Sequence, residues 1–228
     1  MKKKTIKAIA WDLDGTLIHF KINFLRARKE AFEILQKNGM QSGLFSLENS
    51  IIETVRQARK LFSARGFSIQ KIDEIVRDID DVVVSIEREA ALEASAIQGI
   101  QKVLEYNKNI GLKQAIYTYN HGINARLSLE KVNFLKYFDL IAGRDVVENL
   151  KPHPDHLNFI CENLGVRPSQ IIVIGDHLRD IEGAIKLGAH SIGINSQLAN
   201  GKALEIADVV IDENEIPNKL IKTIESLL

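Results

Sequence analysis

The chain has 228 residues, room for one domain with an insertion or for two small ones with ample core. Hydrophobic residues make up 45% and charged residues 26%, and thirty basic side chains balance thirty acidic ones, so no global field points to nucleic acid or a membrane surface as partner. No window approaches the roughly eighteen apolar residues of a membrane span, and the single cysteine, Cys161, excludes an internal disulfide and fits a reducing compartment.

Lys2-Lys3-Lys4 followed by apolar residues has the look of a secretory leader, but Lys7 breaks the run and Asp12 stops it. The expected location is cytoplasmic. The stretch Ala8-Ile9-Ala10-Trp11 then reads as a buried strand, and Asp12-Leu13-Asp14-Gly15-Thr16-Leu17 follows it. In an extended backbone Asp12 and Asp14 point to the same side. Two carboxylates together are costly as structure, because repulsion and desolvation both oppose their charge. A bound divalent cation removes that cost, and Mg²⁺ favours such oxygen ligands. The plainer reading is an acidic strand-to-loop turn.

From about Lys21 to Leu92 the pattern is helical and lacks proline. Phe24, Leu25, Phe32 and Leu35 share one face of a first helix, which Asn38-Gly39 stops. A second helix is expected after Ser46, with Ile51, Ile52, Val55, Ala58 and Phe62 on one face, ending near Gly66. A third carries Ile69, Ile72, Val76, Ile79, Val83, Ile86 and Ala90 in three- and four-residue steps, a seam for packing within a bundle.

Beyond Gly99 helices and strands alternate. Strands are expected at 114–118, 139–142, 170–174, 190–194 and 208–211, with helices near 100–108, 122–132, 154–164 and 178–187 and at the end of the chain. Continuous apolar strands between helices indicate an α/β fold, a doubly wound, Rossmann-like parallel sheet covered on both faces. The helical stretch is too long for a crossover and reads as an inserted all-α cap domain, residues 19–95, in a core of 1–18 and 96–228. Cys161 falls in a helix, where a packed thiol is the expected role.

In such a sheet, ligands bind at the carboxyl ends of the strands. There the chain offers Asp12 and Asp14, then Thr118 with Asn120, His121 and Gly122, then Lys151 between Leu150 and Pro152, then Asp176 and Asp180. Four carboxylates, a hydroxyl and an ammonium describe a site for a magnesium-bound phosphate. Thr118 or Lys151 taken alone would be an ordinary loop hydroxyl or a solvated lysine.

These residues resemble the haloacid dehalogenase-like superfamily, specifically its phosphatase branch with a helical cap after the first strand, of phosphoglycolate phosphatase type. The family's motifs occur in order: Asp-Leu-Asp-Gly-Thr-Leu at 12–17, Thr118 after an apolar strand, Lys151-Pro152, and Gly175-Asp176 with Asp180. The resemblance implies a Mg²⁺-dependent phosphatase acting on a small phosphorylated metabolite through an aspartyl-phosphate. Asp12 would be the nucleophile. Asp14 would be the general acid and then base. Asp12, Asp176 and the Asp14 carbonyl would hold Mg²⁺. Thr118 and Lys151 would bind and neutralise the phosphoryl group, with Gly15, Tyr119 and Asn120 beside them, and Asp180 would support Lys151 or the metal shell.

The resemblance is imperfect at His19, where relatives commonly carry an acidic residue, at His177, where many have Ser, and at Tyr119, which intervenes before Asn120. His19, His121, His153 and His177 each lie beside a motif and are read either as donors near an anionic leaving group or as unrelated packing residues. A dehalogenase has no need of Asp14, whereas a phosphomutase with the same chemistry and a non-catalytic binding protein of the same fold stay open. No nucleic acid or membrane partner is expected, and the chain is expected to be a monomer or homodimer.

Overall fold

The first strand is four residues of pure core: β1, Ala8–Trp11, is buried along its whole length. In the computed structural model, which describes residues 6–19, 21–41, 43–196 and 204–228, it lies at the centre of a six-stranded sheet. The Lys2-Lys3-Lys4 run lies outside the described residues. The other strands are β2 (Lys113–Tyr117), β3 (Leu140–Ala142), β4 (Ile171–Gly175), β5 (His190–Asn195) and β6 (Val209–Asp212). All pairings are parallel, in the order β3-β2-β1-β4-β5-β6. The direction of winding reverses at β1, the position where doubly wound sheets open a ligand crevice.

Continuous apolar strands conceal an alternation that the two faces separate. Ile9, Trp11, Ile116, Ile172, Ile174, Ile192 and Ile194 face one layer of helices. That layer is α4 (Ile100–Asn109), α5 (Gly122–Lys131) and the last helix α8 (Asn218–Leu227), through Val103, Leu104, Leu129, Leu220 and Ile224. Ala8, Ala10, Ala115, Tyr117, Ile171 and Val173 face the other layer, α6 (Pro154–Leu164) and α7 (Leu178–Leu187), through Leu157, Ile160, Leu164 and Ala184. The alanines on β1 and β2 let this second layer approach closely. Cys161 is buried here, and burial pushes its thiol up to about 11, as expected of a packed rather than reactive cysteine.

The chain divides into two compact units, Met1–Lys21 with Ala91–Leu228, and Ile22–Ala90. The second unit holds α1 (Phe24–Lys37), α2 (Ile51–Ala64) and most of α3 (Ile69–Leu92). α2 begins four residues later than the sequence predicts. Ser46 only makes a turn, accepting from the Glu48 N–H at 3.1 Å, whereas Ser50 and Glu53 form a reciprocal capping box. In α3 the buried stripe runs through Ile72, Ile75, Ile79, Val83 and Ile86; Ile69 is exposed and Val76 only half-buried. The stripe of α2 likewise passes through Thr54, Ala58 and Phe62 rather than Val55. Neighbouring apolar residues on one face compete for the same inward angle, and packing decides between them.

Candidate active site

The sheet register sets the site. Trp11 pairs with Ile116 on one side and Ile174 on the other, so β1, β2 and β4 run out together. β1 ends at Trp11, and both aspartates follow it. Asp12 still donates its backbone N–H to Ile174 O at 2.8 Å, and Thr118 donates its own to Ala142 O at 3.1 Å. Both side chains are thus mounted on the last rungs of the ladder, which holds them rigidly. Gly15 has φ +84°, and a Cβ there would lie 2.1 Å from Asp176 Oδ2, so only glycine lets the turn pass this close to the carboxylate.

Lys151 is the centre of the arrangement. It is buried, and its Nζ donates to Asp12 Oδ1, Asp180 Oδ1 and the Tyr117 carbonyl, each at 2.6 Å. Three short acceptors exhaust its three donors. Burial works against the ammonium charge, but Asp12 and then Asp180 outweigh it and hold Lys151 above its ordinary range. The cation also lies 4.8 Å from the centre of the Tyr117 ring and 5.7 Å from that of Tyr119. The Tyr119 hydroxyl donates to the Lys151 carbonyl, so that group supports the lysine loop.

His156, fully buried in α6, ties the same loop to the sheet. Its Nδ1 accepts the Lys151 backbone N–H at 3.4 Å and its Nε2 lies 3.0 Å from Ala142 O, the carbonyl that also receives Thr118. Those two contacts require a neutral ring with the proton on Nε2. Burial, then the Lys151 charge, push His156 down to about 4.

Asp12, Asp176 and Asp180 each present an oxygen within a 4.8 Å span. Burial pushes the Asp12 carboxyl up to about 6 despite the pull of Lys151. Burial, then Asp12, push Asp176 up to about 7. One lysine against three gathered carboxylates leaves an excess of negative charge that a hard divalent cation would relieve, and the all-oxygen donor set fits one. Asp180 is the least free of the three: Lys151 takes Oδ1, and Oδ2 accepts the His177 backbone N–H at 3.1 Å. Ser196, just past β5, donates to Asp176 Oδ2 at 2.9 Å.

Asp14 is held by the segment that follows β2. Its Oδ2 accepts from Asn120 Nδ2 at 2.6 Å, so the Asn120 amide is engaged with this carboxylate. Thr118 is buried, and its hydroxyl oxygen accepts the Asn120 backbone N–H at 3.2 Å, leaving the hydroxyl proton to donate.

Three of the four motif-flanking histidines share one structural job. His121, His153 and His177 are the N-caps of α5, α6 and α7, each accepting a backbone N–H two residues on through Nδ1 at 3.3, 3.3 and 3.2 Å. An imidazole lone pair here replaces the usual Ser, Thr or Asp oxygen. His19 is exposed, and its backbone N–H donates to Ser95 O.

The sequence profile of the "Haloacid dehalogenase-like hydrolase" family matches residues 9–194, which include every group just described except Ser196. The chain belongs to this hydrolase family. Phosphoglycolate phosphatase of Escherichia coli (strain K12) is 33% identical over 100 residues, 44% of this hydrolase and 36% of that relative. The chain thus spans about a third of that curated relative in the matched stretch. The provisionally named pyrophosphatase PpaX of Clostridium perfringens (strain 13 / Type A) is 26% identical over 220 residues, 90% of this hydrolase and 97% of the relative. Among solved structures, beta-phosphoglucomutase of Clostridium difficile superposes with a TM-score of 0.72 at 21% identity, covering 97% of this hydrolase and 98% of that chain, a likeness of fold.

The structure brings together Asp12, Lys151, Asp176 and Asp180, sets Thr118 next in chain to Tyr117, whose carbonyl receives Lys151, and places Asp14 with Asn120. Sequence reasoning missed Ser196 and His156. Ser196 carries the same signal as the others, a polar residue just past a parallel strand. His156 carries none, because a histidine in the first turn of a helix shows its role only when its two partners are in place.

Proposed function

We propose that this hydrolase is a Mg²⁺-dependent phosphomonoester hydrolase that acts on a small phosphorylated metabolite through an aspartyl-phosphate. The observation that carries the reading is the buried Asp12 carboxylate, fixed by Lys151 at 2.6 Å and flanked by Asp176, with a separately held carboxylate, Asp14, two residues on. A nucleophile and a proton carrier with different surroundings are what two-step phosphoryl transfer needs.

In the first step an Asp12 oxygen bonds to phosphorus as the bond to the leaving oxygen breaks, and Asp14 gives that oxygen its proton. In the second, water attacks the aspartyl-phosphate, Asp14 takes the water proton, and inorganic phosphate leaves with Asp12 restored. Asn120 keeps Asp14 aimed at the site through both steps. Thr118 donates its hydroxyl proton to a phosphoryl oxygen, and Lys151 offsets the charge that accumulates around Asp12. Asp12 and Asp176, with the Asp14 carbonyl, would hold Mg²⁺, which supplies charge neutralisation of the transferring group. Gly15 and the backbone at Tyr119 complete the phosphate-binding loops, and Asp180 positions Lys151. On the same reading the helical insertion, residues 19–95, is a cap domain.

The test is a panel of phosphorylated metabolites assayed with Mg²⁺, comparing the native chain with Asp12→Asn. Release of inorganic phosphate is expected from at least one member, falling by on the order of 10⁴-fold in the variant, as when a covalent nucleophile is removed. Equal activity in the two proteins refutes the mechanism. Bisphosphate-dependent isomerisation without phosphate release would instead identify a phosphomutase.

A further inference from the structure

Two cations lie over one ring. Beyond Lys151, the Arg179 guanidinium carbon is 4.7 Å from the centre of Tyr119. The two differ in what satisfies them, since Lys151 meets two carboxylates whereas Arg179 meets none among the described residues. Its other partner is the His177 ring: Nε donates to Nδ1 at 3.3 Å, and a terminal nitrogen lies 3.2 Å from Nε2. Nδ1 also accepts the Arg179 backbone N–H, so the imidazole is an acceptor and carries no compensating charge.

The helix gives this half-buried arginine no support of its own. Arg179 is the second residue of α7, where the helix macrodipole already presents positive charge and favours an anion. A guanidinium is permanently charged, and its planar fork matches a carboxylate or phosphoryl edge. Here it lies over an aromatic ring and donates to an imidazole, contacts that restrict its orientation before any ligand arrives.

The location is also next to the chemistry. Tyr119 directly follows Thr118, and its hydroxyl is fastened to the Lys151 carbonyl, so its ring bridges the Thr118 segment and the lysine loop. Arg179 also directly precedes Asp180, whose Oδ1 receives the Lys151 ammonium at 2.6 Å.

We propose that Arg179, seated on Tyr119 and braced by His177, is a second anion subsite, and that the substrate is a phosphoester or phosphoanhydride whose leaving group bears its own negative charge. The proposal rests on the phosphatase reading and adds the charge class of the leaving group and the residue that selects it. A carboxylate and a second phosphoryl group share the required chemistry.

The experiment compares three compounds on the native chain, Arg179→Gln and Arg179→Lys. They are phosphoglycolate, with a carboxylate near the ester, inorganic pyrophosphate, with a second phosphoryl group, and 2-hydroxyethyl phosphate, whose leaving group is neutral. Arg179→Gln is expected to lower kcat/KM for at least one doubly anionic compound by roughly 10- to 100-fold more than for 2-hydroxyethyl phosphate, mostly through KM, as for a lost charge-assisted contact. Arg179→Lys should recover part of that preference. The compound whose preference collapses tells carboxylate from phosphoryl recognition. Equal losses on all three compounds, or none, overturn the subsite.

Calorimetric binding of the two doubly anionic compounds to Asp12→Asn, with and without Arg179→Gln, reads the same discrimination without turnover. Unchanged affinity there also overturns it. Activity that survives Asp12→Asn while the Arg179 discrimination persists would remove the aspartyl-phosphate mechanism and leave the subsite standing.

Discussion

Lys151 and Arg26 each sit 2.6 Å from a carboxylate, one at the ends of the strands and the other on the helical unit. The distances are the same and the physics is not. Lys151, Asp12 and Asp180 are all buried, so each would be left as an uncompensated charge if its partners were removed. Arg26 with Glu30 and Glu89, and Arg59 with Asp73, are exposed, where water and salt supply most of what the partner supplies. An ion-pair distance therefore says little until the burial of both ends is known.

Removing Lys151 is the most severe way to break the contrast. Lys151→Met is expected to cost about 3–5 kcal/mol of stability by urea denaturation, because Asp12 and Asp180 are left facing each other without a cation. It should also abolish turnover. A loss no greater than that of an exposed lysine would show that the carboxylates protonate at little cost and that the buried network is not what organises the site.

A smaller effect is expected from acid. The His156 ring is neutral in the fold and falls to about 4, below its ordinary 6.5, so between those values the unfolded chain binds more protons than the folded one. Stability is therefore full above about pH 6.5 and declines as pH falls towards 4, by up to roughly 3 kcal/mol from this group. Replacing it with a non-titrating hydrogen-bonding residue, His156→Gln, should flatten the urea-midpoint profile in that window. An unchanged slope would show that another group carries the acid sensitivity.

The smallest effect is assigned to the exposed pair. Arg26→Ala should leave the urea midpoint within error of the native value at physiological ionic strength. A clear drop that persists in high salt would mean that Arg26 packs through its aliphatic stem rather than acting as a charge.

Much of the site could be read before folding. Asp12, Thr118 and Asp176 stand just past apolar runs, and in a parallel sheet such positions meet at one edge. Ser196 obeys the same rule at β5, but a lone serine after a strand carries no charge to single it out. The capping histidines also stood where helices were expected to begin, but imidazole is not among the usual capping groups, so their common role was invisible without the Nδ1 contacts. Other features had no local signal. Asn120 holds Asp14 across 106 positions of chain, and Ile75 rather than Val76 turns inward on α3 only because neighbouring helices set the angle.

What the sequence by itself determined is the order of elements and the kinds of group at their ends, since period-two and period-3.6 patterns follow from covalent geometry within a few residues. It also determined membership of the hydrolase family, through motifs written locally. Only the tertiary structure decided which groups touch. Lys151 meets Asp12 from 139 positions away because β4 pairs with β1 and α6 covers their shared face, and it meets Asp180 because α7 follows β4. Strand order is settled by long-range packing, which no short stretch of sequence encodes, and it is strand order that puts one buried lysine between two carboxylates.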